Sequence, residues 1–220
     1  MTDARAALFD LDGTLTDTVP LIAAGVSQAL NEFGVACRPE QVVPYIGVPL
    51  VDSIQRLAPE LAASERFPEL LRLYRSRVIE TIAAAGSDLL LPGVTELLSA
   101  LRTDGWMVAV VTARQTAAAH RVLDAAGISD AVDLVIGTDQ VAKGKPAPDC
   151  AFLAMERFGT QPANTWYIGD AATDMQMAVS AGIPGLGVTT GAGTREDLLA
   201  AGARAVVDSA DEVLDILAAA

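Results

Sequence analysis

Lysine is nearly missing from this 220-residue chain: Lys143 and Lys145 stand against thirteen arginines. Histidine occurs once, at His120, and aromatic residues make up only 5% of the chain. The two cysteines, Cys37 and Cys150, lie far apart with no CxxC pattern, so they are expected to be reduced structural thiols. No apolar run approaches the roughly 20 residues that span a bilayer. The opening stretch MTDARAALFD has no basic segment, long apolar core or cleavage-like end, so it does not read as a secretory signal, and a cytoplasmic protein is expected. Positive charge is scarce throughout. The net charge of −13 argues against nucleic acid and anionic membranes as partners. It also means that an anionic substrate needs local positive charge to draw it in.

Apolar residues are plentiful, at 51% of the chain against 20% charged, which is enough for a substantial core. The length fits one large domain, or one domain carrying a smaller insertion. Short apolar runs at 6–9, 107–111, 134–136, 166–168, 186–188 and 205–207 read as strands buried on both faces. Helical patterns over 94–103, 114–126, 148–158, 172–181, 195–201 and 211–218 alternate with them. This alternation predicts an α/β fold with a doubly wound, mostly parallel sheet. Ligands of such sheets bind beyond the carboxyl ends of the strands.

The rhythm breaks once. Residues 17 to about 88 read as helical, with Leu21, Ile22, Val26, Ala29, Leu30 and Phe33 on one apolar face. Leu70, Leu71, Tyr74, Val78 and Ile82 mark another, and prolines 39, 44, 49, 59 and 68 punctuate the segment. The expected organisation is a core of residues 1–16 and 91–220, with a helical domain over 17–90 inserted after the first strand. Its linkers are placed near Thr16–Thr18 and Leu89–Pro92.

The strand ends carry the chemistry. The first strand ends in Asp10 and Asp12, the second in Thr112, Ala113 and Arg114, and the fourth in GDAATD, with Asp170 and Asp174; Lys145 follows the third. Four carboxylates facing one crevice repel one another, and a hard dication with oxygen ligands, Mg²⁺, offsets the repulsion. Keeping lysine at 145 in an arginine-preferring chain points to a compact point charge.

DLDGT at 10–14, VVT at 110–112, Lys145 with Pro146 and Pro148, and GDAATD at 169–174 occur in order, and together they resemble the haloacid dehalogenase-like superfamily. Within it the chain is similar to the phosphoglycolate phosphatase-like group, whose helical cap the insertion matches and whose end GVTTGAGTREDLLAAGARAVVDS resembles. The resemblance implies a phosphatase that uses Mg²⁺ and acts on a small phosphorylated metabolite. It implies Asp10 as the nucleophile that forms an aspartyl-phosphate, and Asp12 as the acid and then the base. Thr112 would hold a phosphoryl oxygen and Lys145 would neutralise charge. Asp10, the backbone carbonyl of Asp12, and Asp170 would bind the metal, with Asp174 ligating through water or orienting the set.

Other positions carry two readings each. Arg114 reads as a phosphate or substrate contact, or as a solvated arginine at a helix start. Tyr45, Ile46 and Gly47 form a proline-bounded loop that either dips into the crevice to select substrate or is a plain turn. DLDGT alone also reads as a strand followed by a tight turn, with Gly13 at positive φ. TTGAGT at 189–194 resembles a phosphate loop without the Walker ending, and Thr194 with Asp197 reads better as a capping box. His120 is read as a surface residue. Ala113 is a candidate phosphate contact that stands where asparagine or serine is common in the family. Arg56, Arg72, Arg75 and Arg77 are candidates for recognising a carboxylate or second phosphate, or are simply solvated.

Other chemistries of the superfamily fit less well. Dehalogenases lack the second aspartate, present here as Asp12. Phosphonatases need a cap lysine, and residues 17–90 contain none. β-Phosphoglucomutase-like phosphotransferases use a histidine and a cap-loop arginine that TDTVPL and YIGVPLVDSI do not supply. Pyrophosphate is a competing substrate. Outside enzymes, a receiver-like phospho-acceptor or a silent binding protein is the alternative. The oligomeric expectation is a monomer or homodimer.

Overall fold

The computed structural model describes residues 4–219. Six strands, β1 (Arg5–Phe9), β2 (Trp106–Val111), β3 (Leu134–Ile136), β4 (Thr165–Gly169), β5 (Gly185–Val188) and β6 (Ala205–Val207), form one sheet in the order β3-β2-β1-β4-β5-β6. Every pairing is parallel, with Leu8 opposite Ala109 on one side and Tyr167 on the other. The continuous apolar runs follow from burial on both faces.

Alternate side chains enter two separate cores. Ala7, Phe9, Val108, Val110 and Ile168 point to one face, where they meet Leu98 and Leu101, Val122 and Leu123, and Leu217. Ala6, Leu8, Ala109, Val111 and Tyr167 point to the other, against Cys150, Ala151, Met175, Met177 and Leu198. Both cysteines are buried and free, as expected.

Between β1 and β2 lie α1 (Val19–Glu32), α2 (Pro39–Val42), α3 (Leu50–Leu57), α4 (Pro59–Ala62) and α5 (Phe67–Ala85). Prolines sit in the first turns of α1, α2, α4 and α5, where a missing N–H costs nothing. The segment is helical but interrupted: residues 46–49 form a connecting loop with Gly47 at φ +96°. The linkers pair with each other, with Asp17 N donating to Leu89 O at 2.7 Å and Leu91 N to Leu15 O at 3.2 Å. Ala23, Val26, Tyr74 and Val78 extend the first core cluster into this helical layer.

After the insertion come α6 (Val94–Thr103), α7 (Thr116–Ala126), α8 (Asp149–Phe158), α9 (Ala172–Ala181), α10 (Arg195–Ala200) and α11 (Ala210–Ala218). The helix expected from residue 114 begins at Thr116 instead. The intervening residues form a loop, fixed by Thr138 N donating to Arg114 O at 2.9 Å, that turns the Arg114 side chain toward the end of β1. No described helix is long and apolar enough to cross a membrane.

Candidate active site

The carboxyl end of β1 sits at the middle of the sheet, beside β2 and β4, so residues just past these three strands converge. Asp10 keeps the sheet pairing, with its N–H donating to Ile168 O at 2.8 Å, and Thr112 N does the same to Ile136 O at 3.0 Å. The chain then turns sharply. Gly13 adopts φ +81°, and a Cβ there would lie 2.6 Å from Asp170 Oδ2. Gly13 N donates to Thr16 O at 2.7 Å and Thr16 N to Leu11 O at 3.0 Å, closing the loop. The turn at DLDGT packs Gly13 against the Asp170 side chain, while the pairing of β1 with β4 sets Asp10 beside Asp170.

Lys145 is buried between two carboxylates, 2.9 Å from Asp10 Oδ1 and 2.6 Å from Asp174 Oδ1. Its ammonium also lies 5.2 Å from the centre of the Tyr167 ring. Asp174 Oδ2 accepts from Ala171 N at 3.0 Å, so the residue caps α9 as well as facing the lysine. Asp170 is held on both oxygens: Thr14 Oγ1 donates to Oδ1 at 3.0 Å and Ala192 N to Oδ2 at 2.8 Å. Asp12 points elsewhere. Arg114 grips it in a fork, with Nε donating to Oδ2 and Nη2 to Oδ1, each at 2.7 Å, and the Thr18 hydroxyl also donates to it.

Burial pushes the Asp10 carboxyl up to about 7; Lys145 opposes this, while Asp174 and Asp12 add to it. Burial, then Asp174 and Asp10, drive Asp170 well above the ordinary range. Burial also acts against the charge of Lys145, but Asp10 and Asp174 outweigh it and raise its pKa. For Asp12, burial pulls upward and the Arg114 guanidinium more than reverses it, so Asp12 stays ionised below the usual carboxylate range.

The donor set fits a hard dication. Asp10, Asp170 and Asp174 offer carboxylate oxygens all within 4.8 Å of one another. Asp10 Oδ1 is buried and accepts no well-aligned hydrogen bond despite the nearby ammonium. One lysine among three carboxylates leaves negative charge uncompensated, and two of the three are pushed toward protonation as a result. All-oxygen ligation of this kind suits Mg²⁺. The Asp12 carboxylate stands outside the group.

The family model described as haloacid dehalogenase-like hydrolase matches residues 7–188. The chain belongs to the haloacid dehalogenase-like hydrolases. It is an enzyme of the phosphatase kind, 36% identical over 208 residues to "Probable phosphatase IndB" of Dickeya dadantii, covering 94% of this chain and 90% of that protein. It is 34% identical to the phosphoglycolate phosphatase of Escherichia coli strain K12, with 86% and 82% covered. Among solved structures, a hydrolase from Pseudomonas syringae superposes with a TM-score of 0.86 at 26% identity, over 98% of each chain. A β-phosphoglucomutase from Clostridium difficile, at 24% identity and TM-score 0.84 over 96% and 93%, shares the fold.

Most of the residues singled out in this haloacid dehalogenase-like chain meet at one place. Asp10, Asp12, Thr112, Ala113, Arg114, Tyr45 and Gly47 all line one cavity, and Lys145, Asp170 and Asp174 cluster with Asp10 outside that lining. Two expectations change. Arg114 is not a solvated helix-start arginine, because the helix starts later and its side chain, 14% exposed, is paired. The Asp12 carboxylate is not among the clustered acids, because Arg114 draws it aside. Of the four candidate arginines Arg56, Arg72, Arg75 and Arg77, only Arg75 lines the cavity, while Arg77 pairs with Glu32 at 2.5 Å. His120 is exposed. Asp139 is bound by Thr116, whose N–H donates at 2.6 Å, away from the acids.

Sequence reading missed Thr14, Thr18, Tyr167 and the loop after β5. Thr194 caps α10 with Asp197 as expected, yet the same loop also holds the site. Thr190 Oγ1 donates to Gly13 O at 2.6 Å, and a Cβ on Gly191 would collide with Asp170. The two glycines flanking Ala192 were the available signal.

Proposed function

We propose that this chain is a Mg²⁺-dependent phosphomonoester hydrolase acting through an aspartyl-phosphate on Asp10. The observation that carries the reading is the buried Asp10–Lys145–Asp174 chain beside Asp170, opening on a cavity edged by Asp12 and Arg114. Asp10 attacks phosphorus and the bond to the alcohol oxygen breaks. Asp12, ionised in the resting site, first takes up the proton that a monoanionic ester brings in and passes it to that oxygen; it then takes one from the water that cleaves the aspartyl-phosphate, which releases phosphate and restores Asp10. Thr112 holds a phosphoryl oxygen through its hydroxyl, and Lys145 favours the ionised form of Asp10 and offsets the phosphoryl charge. Asp10, Asp170 and the Asp12 backbone carbonyl would hold Mg²⁺, with Asp174 steering the set, and the ion would supply charge neutralisation for the carboxylates and the phosphate. Arg114 orients Asp12. The insertion over 17–90 acts as a cap, and its loop at Gly47 touches the core where Thr173 Oγ1 donates to Gly47 O at 3.2 Å.

Relatives named phosphoglycolate phosphatase support a small phosphorylated metabolite as substrate, with sugar phosphates as the other candidates. The receiver-like reading is disfavoured by Asp139, which lies outside the acid group. The test is hydrolysis of p-nitrophenyl phosphate with and without Mg²⁺. The Asp10→Asn variant is expected to lose at least about 10³-fold in kcat. Full turnover by that variant, or turnover indifferent to chelation, overturns the reading.

A further inference from the structure

Above the acids lies a cavity of about 620 Å³, within the range that encloses most of a drug-sized molecule. Its upper wall comes from the insertion and is apolar: Ile22, Val26, Ile46, Tyr74, Val78 and Ile82 line it. Val26, Tyr74, Val78 and Ile82 are themselves buried, so these side chains are fixed by packing on the rest of the helical layer. The core wall adds the methyls of Ala113, Ala118 and Ala125. Arg114 is spent on Asp12, and the other two arginines that line the cavity, Arg75 and Arg121, are exposed to solvent, as is Asp124.

Phosphoglycolate carries a carboxylate two carbons from its phosphate oxygen. With phosphorus at Asp10, that anion would fall between Arg114, already paired, and an apolar wall, and a charge buried without a partner is strongly disfavoured. It would also leave most of the cavity unfilled. We infer that the substrate of this site is a phosphomonoester of a bulky, largely apolar alcohol, such as one bearing a fused ring, rather than a short carboxylated ester. The inference rests on the phosphatase reading above and concerns only what lies beyond the phosphorus. The Tyr74 hydroxyl, a neutral polar group on a residue that lines the cavity, leaves room for one polar group on that alcohol.

The test compares 1-naphthyl phosphate with 2-phosphoglycolate on the full chain with Mg²⁺. Burial of one aromatic body predicts a kcat/KM about 100-fold higher for the naphthyl ester. Calorimetric titration of Asp10→Asn with the same two esters is expected to rank them the same way without turnover. Ile79 lines the cavity yet is 42% exposed, so Ile79→Asp spares the core and is expected to lower the preference at least about fivefold. Equal or better hydrolysis of 2-phosphoglycolate overturns the inference and leaves the phosphatase reading standing. If neither ester nor p-nitrophenyl phosphate is hydrolysed, the phosphatase reading falls, and tighter binding of 2-phosphoglycolate to Asp10→Asn overturns the inference as well.

Discussion

Asp10 and Asp12 stand two positions apart, yet the protein holds them in opposite protonation regimes. Asp10 is surrounded by carboxylates and burial, with one lysine in opposition, and its pKa is raised from 3.8 to about 7. In the metal-free protein the native state thus binds a proton that the unfolded chain releases. Stability from this group is present below pH 3.8 and is lost as pH rises toward about 7. Metal-free Asp10→Asn is therefore expected to melt above the wild type at pH 8, with the gap closing toward pH 4, as thermal unfolding across pH will show. Added Mg²⁺ should raise the melting temperature of the wild type more than that of the variant. Asp12 behaves the other way, since Arg114 holds it ionised against burial. Replacing Arg114 with glutamine should raise the Asp12 pKa, read from its carboxyl carbon shift, and lower kcat/KM roughly 10- to 100-fold. A merely structural arginine would not move that titration.

At the level of elements, strands end where chemistry begins. β1, β2 and β4 each stop one residue short of Asp10, Thr112 and Asp170, so backbone pairing in the sheet fixes where these side chains start. The loop after β5 completes the arrangement by packing its backbone on Asp170, with Ala192 N donating at 2.8 Å and no room for a side chain at position 191. Gly191→Ala is expected to push Asp170 off its hydrogen bond and weaken Mg²⁺ binding roughly tenfold or more, measured by calorimetry, while circular dichroism stays native. The strands and most helices were readable because a buried parallel strand needs an unbroken apolar run and a flanking helix needs one apolar stripe. The start of α7 was misplaced because residues 114–115 carry no helix breaker. What keeps them out of the helix is a long-range bond from Thr138 N to Arg114 O.

Over the whole molecule, the net charge of −13 opposes the approach of an anionic ester, while the cations near the acids are paired. Long-range repulsion of this kind is screened by salt, with a Debye length of about 8 Å at physiological ionic strength. For a dianionic ester, kcat/KM is expected to rise roughly two- to fivefold from low salt to about 0.15 M. A fall with salt would show instead that the local arginines at the mouth govern encounter. The insertion contributes at this scale too: its helices share one continuous core cluster with the sheet, and its two linkers are hydrogen-bonded side by side.

The order of residues sufficed for the parallel sheet and its flanking helices, since apolar periodicity is a local property, and it located the strand ends at which the acids stand. It was silent on partnership. That Lys145 bridges Asp10 and Asp174, that Arg114 clamps Asp12, and that the loop at 190–192 braces Asp170 are contacts between segments distant in the chain. Which carboxylates share a cation and which one is held apart depends on distances of a few ångströms, and these are set by how strands, turns and helices pack.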